Sequence, residues 1–300
     1  MGKLKDKKTD NDVKVDTLYG IETKVPTTKM VVSKTQEIVG LPKEKLTLME
    51  LKLFDIYLGR INPMDPDITK VVFTKDELCK VIGTDRIDNT YLMKCLDKLM
   101  TTVVTVASSG NGKSKIEKFT LLSHATLNYD NEYFQGLGTV ELECTKAAKK
   151  YIYNIETVGF LKTNLATLLS FESKSTYALY QYLRQVEARR SRSSNPDISQ
   201  NMRWTVDVDQ LKIYLGVADK YKDVKDLDRW VLMPALKEIE EKTDLRFTYN
   251  RIRVGRKIQK IEFQILNYGY EAALDYMKQD ALPEVDCRIM PNDDDMIPFN

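Results

Sequence analysis

Apolar residues recur along the chain in helical and strand rhythms, and the order of those rhythms repeats. Leu48, Leu51, Phe54 and Leu58 fall at helical spacing from about Leu46, and the pattern stops before Asn62-Pro63. Val71–Phe73 reads as a short strand. Thr74 then precedes KDELCKVIG, with Glu77 three residues on, the spacing at which a hydroxyl and a carboxylate satisfy the free N–H groups of a first helical turn. After Gly83, Leu92, Leu96 and Leu99 share one face of a second helix. Two strands, Val103–Ala107 and Ile116–Leu122, follow around the polar loop SSGNGKSK.

The second half runs through the same series. A helix over SKSTYALYQYLRQVEARR starts at a serine cap near Ser173. A polar loop leads to a strand at Arg203–Val206, a short helix over DVDQLKIYLG and a lysine-rich turn. A longer helix through LDRWVLMPALKEIEEKT and two strands, Leu245–Tyr249 and Ile258–Leu266, complete it around the basic turn RIRVGRK. The repeat holds residue by residue. Phe73-x4-Leu78-x3-Ile82-Gly83 matches Val206-x4-Leu211-x3-Leu215-Gly216. Leu92, Leu96 and Leu99 match Leu232, Leu236 and Ile239, and Leu53-Phe54-x2-Tyr57-Leu58 matches Ala178-Leu179-x2-Tyr182-Leu183.

Long helix, strand, short helix, longer helix and hairpin is the order of a winged helix. The expected fold is therefore α+β: two tandem winged-helix domains related by an internal pseudo-repeat, over 41–150 and 151–270. A flexible N-terminal arm (1–40), with an extended piece at Lys29–Ser33, precedes them. A C-terminal helix and acidic tail (271–300) follow.

Composition changes this picture little, because a 42% hydrophobic content fits two ordinary cores and the net charge is only +2. The placement of charge changes it more. Arg246, Arg251, Arg253, Arg256, Lys257 and Lys260 follow one another without a carboxylate, whereas Asp280–Asn300 is acidic. The N-terminus lacks the apolar core of a signal peptide, and no run is long enough to span a membrane, so a cytoplasmic protein is expected. Cys79, Cys95, Cys144 and Cys287 never stand in C-x-x-C spacing and read as small buried hydrophobes. A single histidine, His124, leaves no H-x-H metal site for a DNA-nicking tyrosine. No enzyme, metal or cofactor is expected. Ala107-x4-Gly112-Lys113-Ser114 fits a loose phosphate-loop pattern, but a strand rather than a helix follows the serine, and a turn of the first wing accounts for the glycines and lysines.

These residues resemble the replication initiators of iteron plasmids over roughly 40–268. The likeness rests on Ser170-Phe171, Ser173 and Ser175 leading into Leu179-Tyr180-x2-Leu183. It rests also on Met233-Pro234-Ala235-Leu236-x2-Ile239-x3-Thr243-Asp244-Leu245 and on Gly255-Arg256-Lys257-x3-Ile261-x-Phe263. The resemblance implies sequence-specific binding to directly repeated double-stranded DNA at a plasmid origin, strand opening and recruitment of host replication proteins. It also implies a dimer that represses its own promoter and dissociates to an initiating monomer. A winged-helix transcription regulator or phage DNA-binding protein remains the alternative.

In a winged helix the longer second helix of the trio reads base edges and the wing lies on phosphates. Turning Leu232, Leu236 and Ile239 inward puts Asp226, Trp230 and Lys237 outward and Arg229 and Met233 on the flank, with Lys220, Lys222 and Lys225 at the helix entrance. The same construction in the first domain puts Arg86, Thr90, Lys94 and Asp97 outward. Arg251, Arg253, Arg256 and Lys257 are the expected phosphate contacts. The cluster Arg189-Arg190-Ser191-Arg192 serves equally well as a helix end or a phosphate contact. The tail residues Asp294, Asp295, Ile297, Pro298 and Phe299 resemble the acidic tip of bacterial single-stranded-DNA-binding proteins. That likeness implies docking on host proteins, although Met296 and the terminal Asn300 depart from the pattern.

Overall fold

The computed structural model describes residues 12–16, 22–26, 30–67, 69–110, 113–133, 136–153, 155, 160–191 and 202–266. They fall into two compact units. The first holds residues up to Lys34, Met49–Thr102 and Phe119–Leu169, and the second holds Thr35–Leu48, Val103–Lys118 and the residues from Ser170 onward.

Strands β1 (Asp12–Asp16) and β2 (Glu22–Pro26) pair with each other. Strand β3 (Val31–Lys34) and helix α1 (Gln36–Val39) follow, within the stretch expected to be an arm. Val32, Ile38 and Val39 are buried there, which is why this part of the chain is structured. Helix α2 (Leu48–Arg60) buries Leu51, Phe54 and Leu58 as its spacing requires. Its Asp55 forms a buried ion pair with Lys34 of β3 at 2.5 Å, and burial pushes the Lys34 ammonium below its usual range. Strand β4 (Lys70–Thr74) delivers Thr74 to the start of α3 (Lys75–Ile82). The capping box forms as expected: the Glu77 N–H donates to Thr74 Oγ1 at 3.1 Å and the Thr74 N–H to Glu77 Oε2 at 2.8 Å. Helix α4 (Asn89–Thr101) starts at Asp88, whose carboxylate accepts the Tyr91 N–H at 2.8 Å.

The next segment departs from the sequence expectation. Strands β5 (Val103–Gly110) and β6 (Lys113–Thr120) form a two-stranded sheet of their own and do not join β4. The partners of β4 are two strands the sequence pattern left unassigned, β7 (Leu122–Tyr129) and β8 (Leu137–Cys144), in the order β4-β8-β7. The first wing is thus β7–β8, and β5–β6 is an additional hairpin. Strand β6 carries Ser114, so a strand does follow the glycine–lysine–serine sequence.

Helix α5 (Lys146–Ile152), strand β9 (Leu161–Asn164), which pairs with β3, and helix α6 (Leu165–Ser170) complete the first unit. Helix α7 (Lys174–Ser191) opens the main part of the second and buries Tyr177, Leu179, Tyr182 and Leu183. The Tyr182 hydroxyl accepts from Trp204 Nε1 at 2.6 Å, tying α7 to strand β10 (Met202–Asp207). Just past helix α8 (Val208–Tyr214), Gly216 has a φ of 70°, and a Cβ there would lie 2.7 Å from the Lys43 backbone, so no larger residue fits. Helix α9 (Val224–Leu227) continues through a π-turn at Asp228–Leu232 into α10 (Met233–Lys242). Strands β11 (Phe247–Val254) and β12 (Lys257–Ile265) close a sheet of order β10-β12-β11.

The pseudo-repeat extends to strand register. Thr74, the cap of α3, faces Thr139 of β8, and Asp207, the cap of α8, faces Lys260 of β12. Counting from those pairs, buried Val140 and Leu142 correspond to buried Ile261 and Phe263. Both wings carry a register shift at the corresponding place, between Asn128 and Tyr129 and between Ile252 and Arg253.

Candidate nucleic-acid interface

The π-turn gives the second-domain helix its shape, and Pro234 supplies the reason. A proline has no N–H to give to the carbonyl four residues back, here Trp230, and its ring would collide with that carbonyl. The helix widens ahead of it, and the Met233 N–H bonds to the Asp228 carbonyl, five residues back. Val231 and Leu232 turn inward while Trp230 and Met233, each 59% exposed, turn out. The Arg229 guanidinium lies over the Trp230 ring at 4.9 Å, so the cation is held at the surface by a stack. Asp226 and Lys237 are exposed, as the helical spacing predicts, and so are Lys222 and Lys225 at the helix entrance. Tyr221, in the turn ahead of the helix, has a φ of 54°, and it is the one non-glycine residue with positive φ among those described.

The basic wing is longer as a strand than the sequence pattern indicates. Arg251 and Arg253 lie on β11, and the turn itself is only Gly255-Arg256 between the paired Val254 and Lys257. A two-residue hairpin of this kind needs a positive φ, which Gly255 supplies at 64°; space is not the constraint, since nothing lies within 4 Å of where its Cβ would be. Arg251, Arg253, Arg256 and Lys257 are all exposed.

Asp228 joins this wing to the helix. Its carboxylate accepts from the Tyr249 hydroxyl of β11 and pairs with Arg251 at 3.2 Å. Burial, together with the bond to Asp228, pushes the Tyr249 phenol above its usual range. Asp228 and Tyr249 carry no sequence signal of this role: a carboxylate at a helix turn and an aromatic on a strand are both commonplace.

In the first domain, Thr90, Lys94 and Asp97 are exposed on α4, and Tyr91 and Met93 share the surface with them. Arg86 is exposed too, but it precedes the helix instead of lying on its face. The β7–β8 wing differs from the second. Its turn, from Asp130 to Gly136, carries Asp130, Glu132 and an 81% exposed Tyr133, with no cation among them. The side chains of Arg189, Arg190 and Arg192 and the tail residues Asp294, Asp295, Ile297, Pro298 and Phe299 lie outside the described residues. Cys79, Cys95 and Cys144 are buried thiols, and among the described residues no cluster of His, Cys, Asp and Glu could hold a metal ion. No helix there is long and apolar enough to cross a membrane.

Two consecutive family domains cover most of the chain. Residues 31–184 match the first winged helix of the initiator replication proteins and residues 207–265 match the second winged helix of the initiator Rep proteins. The chain belongs to this initiator family. A replication initiation protein of Escherichia coli is 25% identical over 244 residues, which cover 79% of this chain and 70% of the relative. Among solved structures, the Pi initiator protein in complex with iteron DNA superposes with a TM-score of 0.60. That match has 19% identity and covers 79% of this chain and 97% of the other, a likeness of fold.

The motif residues that identify the initiator family mostly shape its scaffold. Pro234 sets the π-turn, Gly255 sets the wing turn, and Asp244 pairs with Arg184 of α7. Phe171 is buried against Tyr180 at 5.1 Å between ring centroids.

Proposed function

We propose that this initiator is a plasmid protein that binds directly repeated double-stranded DNA in a sequence-specific way. Helices α4 and α9–α10 enter the major groove, and the second wing lies along phosphates. The observation that carries this reading is the cation-rich wing of Arg251, Arg253, Arg256 and Lys257 on the strand that Asp228 ties to the helix bearing Arg229 and Lys237. A wing kept only for solubility would intersperse carboxylates among those cations. The complex of the Pi initiator protein with iteron DNA lends support from a protein of the same fold.

The mechanism has no covalent step. Base contacts choose the repeat and phosphate contacts fix the register. Several protomers on adjacent repeats then strain a neighbouring AT-rich segment until it opens. The protein represses as a dimer and initiates as a monomer, and Asp294, Asp295, Ile297, Pro298 and Phe299 of the tail recruit host proteins. Support for opening, dimerisation and recruitment comes from the resemblance to iteron initiators.

The test is a binding assay on the DNA flanking the gene. Nanomolar binding to direct repeats about two helical turns apart, with random DNA bound at least a thousandfold more weakly, is the expected result. Equal affinity for both would overturn it. Deleting Met296–Asn300 is expected to spare repeat binding and impair plasmid replication, and unimpaired replication removes the tail from recruitment.

A further inference from the structure

Each candidate reading helix leaves a methionine in solvent at the same place in the repeat. Leu92, Leu96 and Leu99 correspond by spacing to Leu232, Leu236 and Ile239, so Met93 and Met233, each one residue beyond the first leucine, correspond to each other. Leu92 and Leu232 are buried, yet Met93 is 45% and Met233 59% exposed. Neither is needed for packing, because α4 already buries Leu92, Cys95, Leu96 and Leu99, and the other helix buries Leu227, Val231, Leu232, Ala235 and Ile239. Keeping a long apolar chain in water forfeits the free energy that covering it would return, and a lysine or glutamate would serve a solvated helix better.

Their surroundings narrow what can cover them. On the second helix the exposed neighbours are Arg229, Trp230 and Lys237, and on the first they are Thr90, Lys94 and Asp97. These are groups that suit a nucleic-acid groove. Both methionines are also placed from behind: the Tyr129 hydroxyl lies 3.7 Å from the Met93 sulfur, and Met233 closes the π-turn through its own N–H. Within the major groove the edges of guanine, cytosine and adenine offer only donors and acceptors, whereas thymine alone offers an apolar group, its C5-methyl. An unbranched, polarizable thioether fits a methyl group without demanding a single direction of approach.

We infer that Met93 and Met233 read thymine C5-methyl groups, one in each half of the bound repeat. The inference rests on the proposal that both helices enter the major groove, and it adds a specificity that hydrogen-bonding side chains alone do not provide. Trp230 has a different part, since the Arg229 guanidinium occupies its face. It holds that cation in place for a phosphate or a guanine edge.

Deoxyuridine provides the test, because it lacks the methyl group and keeps every hydrogen-bonding group of thymidine. The full chain first selects its site from a pool of random duplexes, and the selected duplex is remade with uracil at each thymine in turn. Losing one buried methyl weakens binding about fourfold. One sensitive position is expected in each half of the site, and about a fifteenfold loss with both replaced. Met233→Ala should abolish the response in one half and Met93→Ala in the other. The unaltered protein provides the uracil data, so they do not depend on how any variant folds. Equal affinity for the thymine and the fully uracil-substituted duplex overturns the inference, as do uracil responses that survive in both variants. In either case the selected site still stands as evidence of specific DNA binding. A pool from which no sequence is enriched overturns the DNA-binding proposal and this inference together.

Discussion

The two wings are built on one register and carry opposite chemistry. Both hang from the middle strand of a three-stranded sheet, both have a register shift at the corresponding residue (the first wing has another between Leu122 and His124), and both present a hairpin beyond it. Yet Leu127 and Tyr129 stand where the second wing has Arg251 and Arg253. The first tip is the stretch from Asp130 to Gly136, with two carboxylates and an exposed tyrosine, and the second tip is Gly255-Arg256. Hairpin geometry is set by buried positions such as Val140 and Ile261, which the repeat keeps alike. The outward positions cost the fold almost nothing to change, and there the two copies diverge. A carboxylate-bearing tip is repelled by phosphate, so one wing of the pair is suited to grip a DNA backbone and the other is not.

The sharpest way to break this comparison is to remove the cations from the second wing. Arg253→Ala, Arg256→Ala and Lys257→Ala together should weaken binding to selected and random duplexes alike, by about a hundredfold at low salt. The dependence of log affinity on log salt should flatten by up to about 2.7. Neutralising Asp130 and Glu132 in the first wing should flatten neither; a slope lost there instead would reverse the assignment. The helices come next. Arg229→Ala or Lys237→Ala should cost about 1–3 kcal/mol on the selected site and much less on random DNA. Equal losses on both would put this helix on phosphates. A graft then runs the comparison backwards: Leu127→Arg with Tyr129→Arg should steepen the salt slope by up to about 1.8 if the first wing lies within reach of the backbone. The smallest effect is expected from Asp228→Asn. It releases Arg251, so random DNA should bind about twofold tighter while the selected site gains less. Tyr249 should also titrate closer to an ordinary phenol in an ultraviolet titration, since the Asp228 charge that helps to raise its pKa is gone. An unmoved phenol would leave burial as the whole cause.

Much of this architecture was legible in the sequence because it rests on buried periodicity and local chemistry. Thr74 and Glu77 announce their helix, and Leu92, Leu96 and Leu99 announce α4. In its counterpart Leu232 and Ile239 are buried as their spacing requires, but Ala235 is buried where Leu236 was expected and Leu236 is only half-buried. The second wing was visible as a run of cations. The first wing was hidden because β7 offers little apolar alternation, with only Leu122 buried along its length, while the more periodic β5 and β6 stood directly after α4. The π-turn was equally hidden, since a proline inside a helical pattern signals an interruption without saying how the chain absorbs it. Asp228 with Tyr249 and Arg251 depends on an approach across twenty residues or more, which no local pattern encodes.

The wide turn at Asp228–Leu232 amounts to one residue added to an α-helix without disturbing either end. An α-helix advances about 100° per residue, so an added residue turns the portion after it relative to the portion before it. Leu227 on one side and Ala235 and Ile239 on the other all stay in the core, while Arg229 and Lys237 both stay in solvent. The unbroken α4 has no such freedom: its outward residues lie along a single line fixed by its inward ones. Two copies of one scaffold can therefore come to spell different words with the same alphabet through a single insertion, without redesigning the core that holds either copy.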